Sequence, residues 1–337
     1  MKGLHVAVVG ASGAVGRAML KVMEEKDFPV AKITLLASKR SAGSVLYYKG
    51  EKQVVSELKE ESFQGVDLAL FSAGSSVSQT FAQSAVDQGA VVIDNSSAFR
   101  MNQDVPLIVP EVNPDAVTDH HRLIANPNCS TIQMVVALKP IYDAVGIEQV
   151  VVSTYQSVSG AGNKAVEELK EQTQALLDGS SNEPVNFPHP IAFNIIPHID
   201  AFLENGYTKE EMKMVDETKK IFADQDIRVS PTAVRVPVMI GHSESIYIKT
   251  KAPIEVKEAV KIWDSAPGVA VIDDAKQNQY PLPIEAAGRD EVLIGRIRKD
   301  LHEEKALNFW VVADNLRKGA ATNAVQIAEL IIKKERV

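Results

Sequence analysis

From the amino terminus to about Ala125, short apolar runs alternate with stretches of helical spacing. Leu4–Val9, Ile33–Ala37, Val66–Phe71, Ala90–Ile93 and Leu123–Ala125 are short, apolar and rich in β-branched residues, which predicts buried strands. Between the first two, Ala14, Val15, Ala18, Met19, Val22 and Met23 recur with the spacing of one helix face. Strands alternating with helices predict a mostly parallel sheet covered on both sides. After Asn128 the texture changes. A helix pattern over Thr131–Ala144 leads into the apolar run Val150–Tyr155, and a second helix is predicted over Asn163–Leu177. Asp178–Pro190 is rich in Ser, Asn and Pro and reads as a loop. A charged helix near Thr208–Ala223 precedes strand candidates at Ile227–Val236, Ser245–Thr250, Val269–Ile272, Val292–Arg298 and Phe309–Ala313. Strict alternation, as in Ser245-Ile246-Tyr247-Ile248-Lys249, suits an antiparallel sheet with one covered face. Ala324, Ile327, Ala328 and Ile331 form one apolar stripe on a final helix.

Composition narrows the chemistry. With 337 residues the chain has room for two domains, each with its own core. Lys and Arg total 36 against 44 Asp and Glu, a formal net charge of −8, which argues against nucleic acid or an anionic membrane surface as partner. No stretch resembles a membrane span, and Met1-Lys2-Gly3 runs directly into the first strand without a secretory pattern, so a cytoplasmic protein is expected. The single cysteine cannot form an intramolecular disulfide and fits a reducing compartment.

Two segments carry candidate chemistry. The first strand ends in Gly10-Ala11-Ser12-Gly13-Ala14-Val15-Gly16 and opens a helix, where tight turns and free N–H groups suit a pyrophosphate. The second strand runs into Ser38-Lys39-Arg40-Ser41, not into the acidic residue that holds a ribose 2′-hydroxyl in NAD enzymes. Arg40 can grip a 2′-phosphate, which favours NADP. The second segment is Asn126-Pro127-Asn128-Cys129-Ser130-Thr131, between a strand and a helix. It sets Cys129 at a helix N-terminus, where the dipole favours thiolate over thiol. A cysteine nucleophile needs a proton-transfer partner, and spacing alone does not choose His242, in Gly241-His242-Ser243-Glu244, over His198. The histidines form no zinc pattern with Cys129, so no metal is expected.

These segments, with Asp94-Asn95-Ser96-Ser97-Ala98-Phe99-Arg100 and Ser153-Thr154-Tyr155-Gln156-Ser157-Val158-Ser159-Gly160-Ala161-Gly162, follow one another along essentially the whole chain as they do in a known family. The sequence resembles the bacterial aspartate-β-semialdehyde dehydrogenases. The resemblance implies an α/β protein: a Rossmann-type NADP-binding domain from residues 1–127 with 316–337, and an α+β catalytic and dimerisation domain from 128–315 whose mixed sheet is largely antiparallel. It implies Cys129 as nucleophile, His242 as general acid/base and Gln156 as the residue orienting the acyl group. Arg235 would bind the substrate α-carboxylate and Glu210 its ammonium, while Arg100 and Lys213 hold phosphate. Gly10, Ser12, Gly13, Ala14, Val15, Arg40, Ser41, Ser159, Gly160 and Asn315 would line the NADP site, in a homodimer that interconverts L-4-aspartyl phosphate and L-aspartate 4-semialdehyde on the route to lysine and diaminopimelate, threonine and methionine.

The residue types fit those roles. A small zwitterion bearing an acyl phosphate needs a carboxylate for its amine and guanidinium for its acid groups, and Glu210 and Lys213 share one helix face. Taken without the resemblance, the same two residues read equally as a surface ion pair, and Arg235 between Val234 and Val236 as a solvent-facing charge. The neighbouring reading, N-acetyl-glutamyl-phosphate reductase, has an acylated substrate amine and leaves Glu210 no cation to meet. A catalytically silent NADP-binding relative would use Cys129 as a thiol switch. A papain-like hydrolase leaves the glycine turn unexplained.

Overall fold

A computed structural model describes residues 3–118 and 120–333. Met1, Lys2, Asp119 and residues 334–337, the end of the segment expected in the first domain, lie outside the described residues. The chain divides into two compact units, Met1–Asn128 with Ala320–Val337 and Cys129–Gly319. Residues 316–319, expected with the first unit, belong to the second. The Asp314 carboxylate accepts from Leu316 N and Arg317 N, and Gly319 N donates to Asp314 O, which ties this turn to the strand before it.

The first unit is built on β1 (Leu4–Val9), α1 (Ala14–Glu25), β2 (Val30–Ala37), β3 (Val45–Tyr48), β4 (Glu51–Val54), β5 (Ser56–Glu57), β6 (Leu68–Phe71), α2 (Ser75–Asp87), β7 (Val91–Asp94) and β8 (Leu123–Ala125). Six strands form one sheet in the order β5-β2-β1-β6-β7-β8, every pair parallel. Alternate residues of β1 feed opposite cores. Val6 and Val8 pack with Met19 and Met23 of α1 and with Ile327 and Ile331 of the C-terminal helix, whereas Ala7 and Val9 pack with Phe71, Ala82 and Ala85. Burial on both faces is why these strands read as continuous apolar runs. Strand order reverses at β1, where β2 lies on one side and β6 on the other, and in such sheets the ligand crevice opens at the carboxyl ends of those strands.

The second unit contains α3 (Cys129–Val145), β9 (Ile147–Gln156), α4 (Asn163–Leu177), α5 (Lys209–Phe222), β10 (Arg228–Arg235), β11 (His242–Thr250), α6 (Val256–Asp264), β12 (Val269–Val271), β13 (Val292–Lys299) and β14 (Ala306–Ala313). Its sheet runs β10-β9-β11-β14-β13-β12. The three inner pairings are antiparallel and the two outer ones, β9 with β10 and β12 with β13, are parallel. Helix α3 lies against this sheet and against α5 and α6, and every residue from Ser130 to Leu138 is buried. Pro140 removes one N–H from the ladder of α3, and in the same turn Trp263 Nε1 donates to Ala137 O at 2.7 Å. Among the described residues no helix is long and apolar enough to cross a membrane.

Candidate active site

Cys129 is the first residue of α3 and partly exposed, although the helix around it is buried. Its position at the start of a 17-residue helix puts the sulfur at the positive end of the helix dipole. Chain packing brings a glycine against it. A Cβ built on Gly319 would stand 2.9 Å from Cys129 Cβ, so a side chain there would displace the cysteine. The sequence reading missed Gly319, because a close approach between residues so far apart leaves no local pattern.

His242 opens β11 and is fully buried. Ser157 N donates to its Nδ1 at 3.0 Å, and Ser157 Oγ lies 3.1 Å from the same atom. A backbone N–H can only donate, so Nδ1 is the acceptor and the neutral ring carries its proton on Nε2. Nε2 itself is buried and has no hydrogen-bond partner among the described residues. Burial, and after it the nearby Arg235 guanidinium, hold the ring well below its ordinary 6.5, so it is neutral at neutral pH. His242 therefore presents a donor N–H. His198, which sequence spacing left level with it, stacks instead on Phe202 with ring centroids 4.3 Å apart.

A cluster of charges gathers at the carboxyl ends of β9 and β10, which run parallel and finish together at Gln156 and Arg235. Arg235 is buried, not turned to solvent as alternation between valines allowed. Its Nη1 donates to Ser157 O at 2.7 Å, and it feels the charges of Glu210 and Cys129. Gln156 Nε2 donates to Glu210 Oε1 at 3.1 Å. Lys213, one turn along α5, holds Glu210 Oε2 at 3.1 Å and Asp200 Oδ2 at 2.9 Å. Burial opposes the Lys213 charge, but these two carboxylates outweigh it and raise its pKa; Asp200 is lowered in turn, mainly by Lys213 against the cost of its own burial. Sequence reasoning missed Asp200, an acid in a loop of positive φ with no motif around it.

Ser159, Gly160 and Asn315 join this cluster. Asn315 Oδ1 accepts from Gly241 N at 2.9 Å and from Ser157 Oγ at 3.1 Å, bracing the turn that precedes His242. A Cβ on Gly160 would lie 2.9 Å from Arg235 Nη1 and 3.2 Å from His242 Nε2, so a side chain there would press on both groups.

In the first unit, Gly10, Ser12 and Gly13 lie in the β1–α1 turn, Ala14 and Val15 open α1, and Arg40 and Ser41 follow β2, the neighbour of β1. Gly13 is the N-cap of α1 without a capping side chain, and no acidic residue stands in the first turn. The orphan N–H groups of that turn are therefore left for an anion, and Arg40 is exposed with no carboxylate bound to it among the described residues, a donor set that fits a phosphorylated dinucleotide. Arg100 lies beyond β7, buried, with Nε on Asn126 O and Nη2 on Asn95 O, both at 2.9 Å. Asn126 is itself held by Asn95 Oδ1 at 2.5 Å and by Asn323 Nδ2 at 2.6 Å, which fixes the approach to Pro127 and Asn128. Among the described residues no group of three or more His, Cys, Asp or Glu could hold a metal.

Residues 5–120 match the family profile described as "Semialdehyde dehydrogenase, NAD binding domain", and residues 138–318 the one described as "Semialdehyde dehydrogenase, dimerisation domain". The aspartate-semialdehyde dehydrogenase of Aquifex aeolicus is 60% identical over 98% of this chain and 99% of its own. That of Bacillus subtilis is 54% identical over 98% of each chain. The solved aspartate semialdehyde dehydrogenase II of Vibrio cholerae, complexed with ASA, is 50% identical and superposes with a TM-score of 0.96 over 99% of both chains. The expected architecture, a Rossmann-type unit with a parallel sheet and a second unit with a mixed sheet, is the one observed. On this likeness and coverage, the chain belongs to the aspartate-semialdehyde dehydrogenase family.

Proposed function

We propose that the protein interconverts L-4-aspartyl phosphate and L-aspartate 4-semialdehyde with NADP, through a thioester on Cys129. The observation that carries the reading is the placement of Glu210, on Gln156 and Lys213, near Arg235: a carboxylate and a guanidinium suited to the two ends of an amino acid, and both near Cys129 or a residue that feels its charge.

In the direction of reduction, Arg235 holds the substrate α-carboxylate and Glu210 its ammonium, which presents the side-chain acyl carbon to Cys129. The thiolate attacks, the C–O bond to phosphate breaks, and a thioester forms as phosphate leaves. Lys213, whose ammonium already meets Asp200 and Glu210, and Arg100, whose guanidinium is held on Asn126 O and Asn95 O, would neutralise the departing phosphate. The β1–α1 turn, Arg40 and Ser41, with Ser159, Gly160 and Asn315, would hold the nicotinamide dinucleotide, which would supply the hydride that reduces the thioester. The oxyanion that results accepts from His242 Nε2–H, while Gln156, held on Glu210 and Thr154, orients the acyl group. Collapse returns the aldehyde and the Cys129 thiolate, stabilised by the helix N-terminus and Arg235. On this reading His242 acts as the proton donor through Nε2, its Nδ1 accepting from Ser157 N. A thiolate suits this sequence because it attacks at neutral pH and its thioester remains electrophilic enough for hydride.

Activity is expected with aspartate semialdehyde, NADP and inorganic phosphate together, and not with N-acetylglutamate semialdehyde, whose blocked amine cannot pair with Glu210. Turnover of the acetylated aldehyde at an equal rate would overturn the substrate assignment. Arg40→Asp is expected to invert the cofactor preference toward NAD, because a carboxylate there accepts from a 2′-hydroxyl and repels a 2′-phosphate. If the ratio of kcat/KM for NADP over NAD stays above one, the 2′-phosphate is held elsewhere. We further propose a cytoplasmic homodimer, supported by the single cysteine and the match of residues 138–318 to a dimerisation domain, acting in lysine and diaminopimelate, threonine and methionine biosynthesis.

A further inference from the structure

Glu244 lies two residues beyond His242 on β11, so both side chains project from one face of the strand. Its neighbours across the sheet are Thr154 of β9 and Val311 of β14. The carboxyl is fully buried, and neither oxygen has a hydrogen-bond partner among the described residues. The side chain against it is Gln133 of α3, also fully buried. That amide is half used. Its Nε2 donates to the His242 carbonyl oxygen at 3.2 Å, while its Oε1 has no partner.

An ionised carboxylate offers only acceptors, and the vacant atom of Gln133 is an acceptor too. Three buried acceptor atoms, Gln133 Oε1 and both Glu244 oxygens, are left without a partner, and unsatisfied buried acceptors favour a form of the pair that supplies a proton. A protonated carboxyl has the O–H that this pair lacks. We propose that Glu244 is held as a neutral carboxylic acid that donates to Gln133 Oε1, and that the pair positions His242 by fixing its backbone carbonyl. The chain of contacts is Glu244 O–H to Gln133 Oε1, then Gln133 Nε2–H to His242 O, one residue from the Gly241 N–H that Asn315 holds on the other side. His242 is thus clamped through its main chain from two sides, and its Nδ1 through Ser157 from a third.

The surroundings agree. Burial pushes the Glu244 carboxyl well above its ordinary 4.5, with the Gln133 amide pulling weakly the other way. The groups that neighbour it are uncharged: the neutral His242 on its own strand, Thr154 on β9, Val311 on β14, and Gln133 on α3. Among the described residues no ion pair reaches its carboxyl.

The inference rests on the reading of His242 as the proton donor, and its test separates the two. Glu244→Gln keeps the shape and offers an N–H to Gln133, whereas Glu244→Met keeps the volume and offers nothing. The infrared spectrum of the wild-type protein at neutral pH is expected to contain a protonated-carboxyl band that Glu244→Gln lacks. In the aspartate-semialdehyde assay, Glu244→Gln is expected to keep its kcat, while Glu244→Met loses about 10- to 100-fold in kcat at unchanged KM, the scale on which a displaced catalytic group acts. A group whose folded pKa is raised loses its stabilising contribution as pH rises, so the melting temperature of the wild type should fall relative to Glu244→Gln as pH climbs above 4.5. No difference band at neutral pH, or equal loss of kcat in the two variants, overturns the proposal. The spectrum needs no turnover, so it decides the state of Glu244 even if Glu244→Met does not fold. An acid band in a protein inactive on aspartate semialdehyde would instead overturn the substrate reading.

Discussion

Cys129→Ala is expected to abolish phosphate-dependent NADP reduction by aspartate semialdehyde, a loss of at least about 10⁴-fold in kcat. The size of the effect follows from what no neighbour can replace. Hydride transfer to a free carboxyl derivative is far harder than to a thioester, and Cys129 is the only thiol in the chain. The substitution is conservative for the fold. Cys129 is partly exposed at the first position of α3, Ala is the best helix former, and Gly319 packs against the Cβ that Ala retains. NADP binding and the melting temperature should therefore remain close to those of the wild type. Equilibrium binding of NADP and a thermal melt accompany the assay, so that lost activity is not mistaken for lost structure. Retained turnover in this variant would remove covalent catalysis from the account.

The second large effect belongs to His242. His242→Asn is expected to lower kcat by about 10²–10³-fold with little change in KM, the range seen when one oxyanion donor is removed. The shorter amide can set its Oδ1 where Nδ1 stands and still accept from Ser157 N, but it carries no N–H to where Nε2 stands. The pH profile gives an independent reading. A histidine held well below 6.5 keeps its neutral, Nε2-protonated form through the range where an ordinary histidine titrates, so kcat should show no acidic limb centred near 6.5. The stability linkage has the matching sign. The unfolded chain binds the proton first, so the contribution of the neutral ring is present above 6.5 and lost as pH falls from there toward the depressed folded value. An acidic limb at 6.5 that disappears in His242→Asn would mean that the ring is an ordinary titrating base.

Much of the architecture was legible because both sheets carry strong periodic signals. The parallel strands of the first unit are apolar on both faces, and β9, β11 and β14 alternate. What escaped were elements whose stability is not written locally. The hairpin β3–β4 turns at Lys49-Gly50, both of positive φ, and its strands Val45–Tyr48 and Glu51–Val54 bury only alternate residues of the first, a signal too short to stand out. Strand β11 begins at His242 and not at Ser245, because its first three residues, polar by type, are buried against the sheet's neighbours and against α3. The same polar run contains Glu244. β14 likewise starts at Ala306, extended by pairing with β11 through Ala306–Lys249.

At the site, the glycine turn, Arg40 and the helix-start cysteine were readable as chemistry in their own right. Glu210, Lys213 and Arg235 were not, because a charge on an amphipathic helix or an alternating strand looks the same whether it meets water or a substrate. Only tertiary packing separates the cases. It buries Arg235 and Glu210 together and joins them through Gln156 and Ser157, residues that the sequence places far from α5.

The most direct test of the central claim is to incubate the protein with aspartate semialdehyde and NADP in the absence of phosphate, quench in acid, and weigh the intact chain and its Cys129-containing peptide. Without phosphate the thioester has no acceptor, so the Cys129 peptide should gain the mass of one aspartyl group while one equivalent of NADPH forms, and added phosphate should discharge it. NADPH formation with no mass added to that peptide would contradict the account.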